Sequence, residues 1–347
     1  MKISELIKNY DPSNQFEVLK KTYEQIEFAW TNKIDLSSIK KKGIESVVVT
    51  GLGGSAISGD LFVNFFKGEL DIPFVVNRSY TLPAFADKNT LVIVSSYSGN
   101  TEETISVFNQ ALKKKCRIVC ITSGGKAEKI ALKHSVPVVK IPAGFHPRYA
   151  LGLSFFSLLK VINKLKIVKV KPSLVNSIIR LYKAKAKLYA KEKNPALTYA
   201  EQLPGFIPVI YSAEGFTSSV GYRFKCQFNE NSKLSAFQNL LPEMNHNEIV
   251  GWESFNENQM KIKVINVLDK DYPAQIKKRF QISSEILTQS GVEILNLESG
   301  EKSFKVRLMD LIYLCDWITY YTGVLRGFDP AEIRNIDFLK RQTEIST

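Results

Sequence analysis

Two short segments of this 347-residue sequence combine glycine with hydroxyl side chains at spacings that suit phosphate binding. The first, GLGGSA, begins at Gly51, and the second, SSYSGNT, begins at Ser95. Glycines let the backbone approach an anion closely, and a helix that starts in such a loop presents unpaired N–H groups and a favourable dipole. The sequence therefore predicts a phosphate site. Its candidate residues are Gly53, Gly54, Ser55, Ser96, Ser98 and Thr101.

The same segments narrow the class of phosphate compound. Neither contains the G-x-x-x-x-G-K-[ST] pattern, which excludes a nucleoside triphosphate loop of that type. GLGGSA alone fits the G-x-G-x-x-A dinucleotide pattern, and Arg78 follows a predicted strand where it could accept a ribose phosphate. A nicotinamide-dependent oxidoreductase is therefore one alternative. The serine-rich segment has no role in a dinucleotide fold and favours a compact phosphate ester.

Both segments follow short apolar runs that predict β-strands, and each leads into a helix-like stretch. Apolar strands that alternate with helices are typical of a parallel sheet covered on both faces. Ligands of such sheets bind beyond the carboxyl ends of the strands, where the glycine and serine segments lie. The strands predicted in the first half are 46–50, 74–77, 91–95, 116–122 and 137–141.

The second half of the chain repeats this order. PVIYS is followed by a small polar turn and a helix, as SVVVT is followed by GLGGSA, which indicates a weak internal duplication. Further strands are predicted at 234–237, 261–268 and 292–297. We therefore predict an α/β protein of two similar doubly wound parallel-sheet domains with flanking helices. The predicted domains are residues 1–158 and 196–347, with a basic linker helix region at 159–195.

The positive charge of the chain is concentrated in that linker. Lys and Arg number 47 against 34 Asp and Glu, a net charge of +13, and the segment 160–193 alone contributes +10 (ten Lys and one Arg against one Glu). Apolar residues near helical spacing within it predict a helix with a solvated basic face. A nucleic-acid contact surface is the alternative. Sparse aromatic residues and the lack of a recognised motif argue against nucleic acid as a partner.

Composition bounds the class of protein. Hydrophobic residues make up 44% and charged residues 23%, which excludes a disordered chain, and four cysteines exclude a disulfide scaffold. The start, MKISELIKNYD, contains acidic residues and no apolar run, unlike a signal peptide. No apolar stretch approaches the roughly 18 residues of a membrane span. We therefore expect a cytoplasmic protein without a membrane partner.

The motifs resemble the sugar isomerase (SIS) domain family, whose sheets bind phosphosugars through such loops. QFNENSK, PEMNHNEIVGWE and GFDPAEIRNIDFLK in the second half resemble the bifunctional phosphoglucose/phosphomannose isomerases, and the resemblance runs from about residue 46 to 340. It implies two SIS-type domains and no cofactor. The implied activity interconverts glucose 6-phosphate and mannose 6-phosphate with fructose 6-phosphate through a cis-enediol, without a metal.

The resemblance also implies roles for four residues. Glu230 would transfer the proton between C2 and C1, and Arg148 would stabilise the enediolate near the C1–C2 oxygens. His246 and Lys340 would open the sugar ring. In related enzymes this histidine is contributed across a dimer interface, so the resemblance implies a homodimer as the active unit.

Glu243 and Glu248 flank His246 and are candidates to orient it. The histidines and cysteines lack metal-ligand spacing, so we expect no metal site. Two alternatives remain within the phosphosugar class: a non-catalytic phosphosugar-binding regulatory protein and a single-specificity phosphoglucose isomerase.

Overall fold

The computed structural model describes residues 2–257 and 260–345. They form two parallel β-sheets, each within its own compact unit. The first-sheet unit comprises Lys21–Lys183 and Phe304–Val306, and the second-sheet unit comprises Met1–Lys20, Ala184–Ser303 and Arg307–Thr347. The predicted fold class, two parallel-sheet domains with flanking helices, is confirmed. The predicted domain bounds stay a prediction.

The described residues contain nine strands, fourteen α-helices and three 3-10 helices. The strands are β1 (Ser46–Thr50), β2 (Phe74–Asn77), β3 (Thr90–Ser96), β4 (Arg117–Thr122), β5 (Val138–Lys140), β6 (Ile207–Ala213), β7 (Phe237–Leu241), β8 (Ile262–Val267) and β9 (Glu293–Leu297). The α-helices are α1 (Ile3–Tyr10), α2 (Gln15–Lys20), α3 (Thr22–Thr31), α4 (Gly53–Phe65), α5 (Glu102–Lys113), α6 (Gly125–Lys133), α7 (Leu151–Lys164), α8 (Pro172–Tyr189), α9 (Pro195–Ala200), α10 (Ser218–Ser232), α11 (Glu248–Gly251), α12 (Ala274–Gln289), α13 (Phe304–Leu325) and α14 (Arg334–Ile345). The 3-10 helices cover Pro147–Tyr149, Glu243–His246 and Trp252–Glu257.

The first sheet has the strand order β2-β1-β3-β4-β5, and every pairing in it is parallel. Strands β1 and β3 are buried along their whole length, because their β-branched and apolar residues are covered on both faces. All five predicted strands of this half are present, with ends that differ by one residue at most. Since the strands are parallel, the glycine and serine loops share one edge of the sheet.

The second sheet has the order β7-β6-β8-β9, also parallel throughout. The strand predicted at 234–237 is wrong, since β7 begins only at Phe237. Lys233 adopts a left-handed conformation (φ +48°) that ends α10, and Leu234 donates its N–H back to the Phe228 carbonyl. Leu234 and Ala236 are therefore buried in the connection between helix and strand.

The two sheets share the first four positions of their strand order. β1 pairs with β2 and β3 as β6 pairs with β7 and β8, and each is followed at once by a helix, α4 or α10. The internal duplication inferred from SVVVT and PVIYS is thus visible in the topology. Because β3 and β8 occupy the same place in the two strand orders, the β3–α5 and β8–α12 loops are equivalent.

The basic segment 160–193 covers the end of α7 and all of α8. Two of its lysines, Lys160 and Lys164, lie one turn apart on α7 and donate to backbone carbonyls at the end of α3 and just beyond it. Those carbonyls belong to Trp30, Asn32 and Ile34. On α8, Lys183 pairs with Glu27 at 2.6 Å, while Val175, Ile178 and Tyr182 are buried. Part of the charge therefore stabilises the fold itself.

Candidate functional site

The glycine loop connects β1 to α4 and lies against the 3-10 helix Pro147–Tyr149. Gly53 is the first residue of α4. A Cβ atom on Gly54 would lie 2.5 Å from the Pro147 carbonyl oxygen and 3.3 Å from the Arg148 nitrogen. Because a side chain would not fit there, glycine brings the loop and the backbone of Arg148 into contact. The structure thus places Gly53, Gly54 and Arg148 together.

The serine loop connects β3 to α5 and gathers three of the predicted hydroxyls. The Ser96 and Thr101 hydroxyl oxygens are 3.1 Å apart, and Ser96 Oγ accepts the Gly99 N–H at 3.1 Å. Ser98 Oγ accepts the Asn100 N–H at 3.3 Å, and its side chain is exposed. Thr101 is the residue before α5, whose first-turn N–H groups have no partners inside the helix. The loop therefore combines hydroxyls with a helix N-terminus, and both groups can donate hydrogen bonds to an anion.

Ser55 joins the glycine loop to the serine loop. Its Oγ accepts the Tyr97 N–H at 3.2 Å, and its carbonyl accepts Ser95 Oγ at 3.4 Å. The two strands that carry these loops, β1 and β3, are neighbours in the sheet. All six predicted phosphate-binding residues thus lie at two connected strand-to-helix junctions, β1–α4 and β3–α5, at one edge of the sheet.

Arg148 is a buried cation beside this edge. It is 3% exposed, and its guanidinium carbon lies 5.3 Å from the centre of the Tyr149 ring. The Tyr149 carbonyl accepts the Gln25 side-chain amide at 2.8 Å, which fixes the 3-10 helix to α3. Since a guanidinium stays protonated in proteins, this helix carries a permanent positive charge.

Arg78, the residue that supported a dinucleotide site, is engaged elsewhere. Its guanidinium forms an ion pair with the Asp60 carboxylate on α4. Burial raises the pKa of that carboxyl group, and the neighbouring guanidinium opposes the rise. A carboxylate at this position would repel a ribose phosphate, which weighs against the dinucleotide interpretation.

Glu230 lies in the last turn of α10 in the second-sheet unit, and its side chain is half-buried. The end of this helix packs tightly on α13. Ser232 Oγ donates to the Thr319 carbonyl at 2.6 Å, and a Cβ on Gly323 would overlap the Asn231 carbonyl oxygen. These contacts hold the backbone that carries Glu230 in one position.

Two turns earlier on α10, a buried ion pair makes the same connection. Arg223 donates twice to Asp316 of α13, at 2.9 Å for each bond, and Gln227 donates to the same carboxylate at 3.0 Å. Bidentate guanidinium–carboxylate pairs fix geometry as well as charge. The helix that carries Glu230 is therefore anchored to α13 at two levels.

His246 ends the 3-10 helix Glu243–His246, and its side chain is exposed. The two flanking glutamates have other bonds: Glu243 accepts Asn247 Nδ2 at 2.9 Å, and Glu248 accepts the Tyr211 hydroxyl at 2.5 Å. Glu248 also accepts Asn239 Nδ2 at 2.6 Å. Glu248 thus ties the His246 segment to strands β6 and β7, and whether either glutamate orients the imidazole stays a prediction.

Lys340 lies on α14 with an exposed side chain. Glu230, His246 and Lys340 therefore occupy three separate elements of the second-sheet unit, whereas Arg148 and the phosphate loops belong to the first-sheet unit. That these two groups of residues act on one substrate stays a prediction.

Sequence reasoning missed two tyrosines at these sites. Tyr211 is buried in β6, bonds to Glu248 and accepts the Trp252 indole N–H at 2.9 Å. Burial and the bond to Glu248 raise the pKa of the Tyr211 phenol. Tyr97 stands between Ser96 and Ser98, but its contacts lie far along the chain, so no local pattern marks it.

The cysteines of the first sheet are not nucleophiles at neutral pH. Burial raises the pKa of Cys116 to about 11 and that of Cys120 to about 12. The thiolate is the reactive form of cysteine, so both groups stay inert near pH 7. Across residues 2–257 and 260–345, no three His, Cys, Asp or Glu side chains are grouped so as to hold a metal ion.

Two family models match the chain. The SIS domain model matches residues 39–146, a range that contains the glycine and serine loops. The model of the bacterial phospho-glucose isomerase C-terminal SIS domain matches residues 192–342, which include Glu230, His246 and Lys340. Arg148 lies two residues beyond the first match.

Curated relatives match almost the whole chain. A bifunctional phosphoglucose/phosphomannose isomerase of Caldicellulosiruptor bescii is 36% identical over 332 residues, which cover 94% of this chain and 98% of that protein. The chain belongs to the bifunctional phosphoglucose/phosphomannose isomerase family. A second member, from Aquifex aeolicus, is 34% identical over 94% of this chain and 97% of its own length. The resemblance inferred from the sequence motifs is therefore confirmed, and the protein is an isomerase.

Structural comparison agrees on the fold. A hypothetical protein from Thermus thermophilus matches with a TM-score of 0.73 at 16% identity, over 99% of this chain and 93% of that one. At this identity the match shows the fold alone. Within the described part of the chain, no helix has the length and apolar character needed to cross a membrane.

Proposed function

We propose that this member of the isomerase family interconverts glucose 6-phosphate and mannose 6-phosphate with fructose 6-phosphate, without a metal. The observation that carries the proposal is that the glycine loop and the serine loop are joined by the bond between Ser55 and Tyr97 and lie beside the buried residue Arg148. Hydroxyl and amide donors suit a phosphate dianion, and a fixed cation suits the oxyanion of an enediolate.

The phosphate group binds at the carboxyl edge of the first sheet. Ser96, Ser98 and Thr101 supply hydroxyl donors there, and the start of α5 supplies N–H groups with a favourable dipole. Ser55 and the backbone of Gly53 and Gly54 complete the cradle from the glycine loop. The phosphate thereby anchors the substrate without taking part in the bond changes.

Glu230 transfers the proton. As a carboxylate it removes the C2 proton of the open-chain aldose and returns it to C1, on one face of a cis-enediol. Negative charge develops on the C1–C2 oxygens only around this step, so a preorganised cation there lowers the barrier selectively. Arg148 is the proposed cation.

Ring opening precedes that transfer. It needs a proton donor at the ring oxygen and an acceptor at the C1 hydroxyl, and His246 with Lys340 supplies them. Glucose and mannose 6-phosphate differ only at C2, the carbon that loses its proton. Rotation about C2–C3 in the open chain lets both epimers present that proton to Glu230, so one site serves both sugars.

The active unit is proposed to be a homodimer in which His246 of one copy completes the site of the other. The exposure of His246 supports this, because a side chain directed to solvent is available to a second copy. Mixing inactive Glu230→Gln and His246→Ala chains should restore roughly a quarter of wild-type activity after random subunit exchange. No recovery, in chains shown to exchange, would contradict a shared site.

We further propose that the enzyme is cytoplasmic and that its partners are small phosphosugars. The four cysteines are free, as is usual in a reducing compartment. The basic segment needs no nucleic acid to account for it, since Lys160, Lys164 and Lys183 have partners within the fold.

A coupled assay tests the function. Glucose 6-phosphate and mannose 6-phosphate are supplied separately with excess chelator, and fructose 6-phosphate formation is followed. Turnover of both sugars is expected. Turnover of glucose 6-phosphate alone would reduce the assignment to a phosphoglucose isomerase. Binding of both without turnover would favour the regulatory alternative.

A further inference from the structure

Tyr97 contacts three other segments at the edge of the first sheet. Its N–H donates to Ser55 Oγ at 3.2 Å, and its carbonyl accepts both the N–H and the hydroxyl of Ser123, at 3.0 and 2.6 Å. These bonds use backbone atoms of Tyr97. They connect the serine loop to the glycine loop and to the β4–α6 loop whatever side chain stands at position 97.

The side chain of Tyr97 makes the third connection. Its hydroxyl donates to the Pro142 carbonyl at 3.0 Å and accepts the Phe145 N–H at 2.8 Å. Both partners lie in the segment that runs from β5 to the 3-10 helix carrying Arg148. One phenol hydroxyl therefore bonds to this segment at two points, three and six residues before Arg148.

The Tyr97 hydroxyl must be protonated to donate its bond to the Pro142 carbonyl. Burial raises the pKa of Tyr97, and the Phe145 N–H opposes the rise. The hydroxyl therefore keeps its proton, and the bond that it donates, through neutral and mildly alkaline pH.

We propose that Tyr97 is a positioning residue: its hydroxyl fixes the 142–148 segment and so holds the backbone of Arg148, and with it the buried guanidinium, beside the glycine loop. The inference rests on the proposed function, in which Arg148 stabilises the enediolate. Because the backbone bonds of Tyr97 persist when the hydroxyl is removed, the phosphate loops keep their geometry. The hydroxyl should therefore affect the chemical step more than substrate binding.

The test is Tyr97→Phe, assayed with glucose 6-phosphate. We expect kcat to fall about 10–100-fold while KM changes less than about threefold, since small displacements of a charge-stabilising group impair the transition state selectively. In an Arg148→Lys background the same substitution should lower kcat by less than about threefold, because the group that it positions is already altered. A loss as large as in the wild-type background would overturn the inference.

Tyr23→Phe is the matched control. Tyr23 is also half-buried in the first-sheet unit, but it lies on α3, with Lys183 Nζ 4.8 Å from its ring centre. Removal of the Tyr23 hydroxyl should leave kcat and KM unchanged. A Tyr97→Phe enzyme with kcat within about twofold of wild type, or with KM as the main change, would contradict the positioning role.

Amide hydrogen exchange at Phe145 gives a readout that does not depend on turnover. In Tyr97→Phe the Phe145 N–H loses its acceptor, so its exchange should become at least about tenfold faster, with Gly99 unaffected. Unchanged exchange at Phe145 would refute the connection. If the wild-type protein turned over neither sugar, the proposed function would fall, and this measurement would still decide whether Tyr97 fixes the segment.

Discussion

The β3–α5 loop of the first sheet and the β8–α12 loop of the second occupy equivalent positions, yet their chemistry is opposite. The first carries the hydroxyls of Ser96, Ser98 and Thr101, and the second carries the carboxylates of Asp269 and Asp271. The hydroxyls of the first can donate hydrogen bonds to a phosphate oxygen, whereas the carboxylates of the second can only accept them. The strand order is therefore shared by the two sheets, but the hydroxyl-rich loop is not.

The acidic loop is neutralised within its own unit. The buried Arg307 guanidinium donates to Asp269 at 2.7 and 2.9 Å and to Asp271 at 2.6 Å. Tyr272 extends from the same loop to Thr217, at the turn that corresponds to the glycine loop, and also donates to the Val267 carbonyl at 2.7 Å. In the second sheet, therefore, groups of the unit itself make the contacts at the positions that correspond to the glycine and serine loops of the first sheet.

We propose that this difference reflects separate tasks of the two units. In this proposal the first unit supplies hydroxyls, helix amides and a guanidinium for anion binding, and the second supplies the proton-transfer groups Glu230, His246 and Lys340. Variants that affect one task and spare the other can confirm or refute the division.

The largest effect is expected from Glu230→Gln. Amide replaces carboxylate at nearly equal size, so the base is lost while the packing of α10 on α13 is kept, and kcat should fall about 10³–10⁴-fold. Steady-state assay with both aldose phosphates measures it. Glu201→Gln, at an exposed glutamate in the same unit, is the control. Near-normal turnover of the Glu230→Gln enzyme would remove Glu230 from the mechanism.

Arg307→Leu tests the neutralised loop. It leaves Asp269, whose side chain is 1% exposed, buried without its partner, and breaking such pairs costs about 3–5 kcal/mol. Urea unfolding followed by tryptophan fluorescence should show this loss for the second-sheet unit. Arg334→Leu removes an 83% exposed arginine and should change stability by less than about 0.5 kcal/mol. Equal effects of the two variants would contradict the role given to Arg307.

Ser98→Asp introduces into the β3–α5 loop a carboxylate like those of the β8–α12 loop. A carboxylate beside the bound phosphate should raise KM about 100-fold through like-charge repulsion, with a smaller change in kcat. The reverse change, Asp271→Ser, affects a half-exposed side chain and should leave KM within about twofold. A Ser98→Asp enzyme with unchanged KM would place the phosphate elsewhere.

The smallest effect is expected from Gly54→Ala. The new Cβ would meet the Pro147 carbonyl oxygen at 2.5 Å, and relieving that contact should cost about 1–3 kcal/mol of stability and shift Arg148 from the glycine loop. Thermal unfolding and kcat measure the two consequences. Gly300→Ala, where an added Cβ meets nothing within 4 Å, is the control. A Gly54→Ala variant that behaves like the control would argue against the close approach.

Local patterns made most of the fold and the phosphate loops predictable. Buried parallel strands such as β1 and β3 are continuous apolar runs, and the glycine and serine motifs follow them directly. β7 was misplaced because FQNLL is a polar, half-buried edge strand, while the apolar residues before it belong to a connection. Neither hydrophobic periodicity nor β-propensity distinguishes a polar edge strand from an apolar connecting segment.

The missing parts of the site depend on contacts distant in sequence. Tyr97 bonds to residues 45 and 48 positions away, and Arg307 bonds to Asp269, 38 positions away. Glu230, His246 and Lys340 were assigned through family motifs, since a glutamate on a helix or an exposed lysine has no distinctive pattern of its own. Residues of this kind can be recognised from the tertiary structure, because their partners are distant in the sequence.

One measurement tests the division of tasks most directly: calorimetric titration of sorbitol 6-phosphate, which has no carbonyl group and cannot isomerise. Glu230→Gln should bind it with a Kd within about threefold of wild type, whereas the Ser96→Ala/Ser98→Ala double variant should bind at least about tenfold more weakly. A Glu230→Gln variant that loses as much affinity as the serine variant, or a serine variant that binds as tightly as wild type, would contradict the division of tasks between the two units.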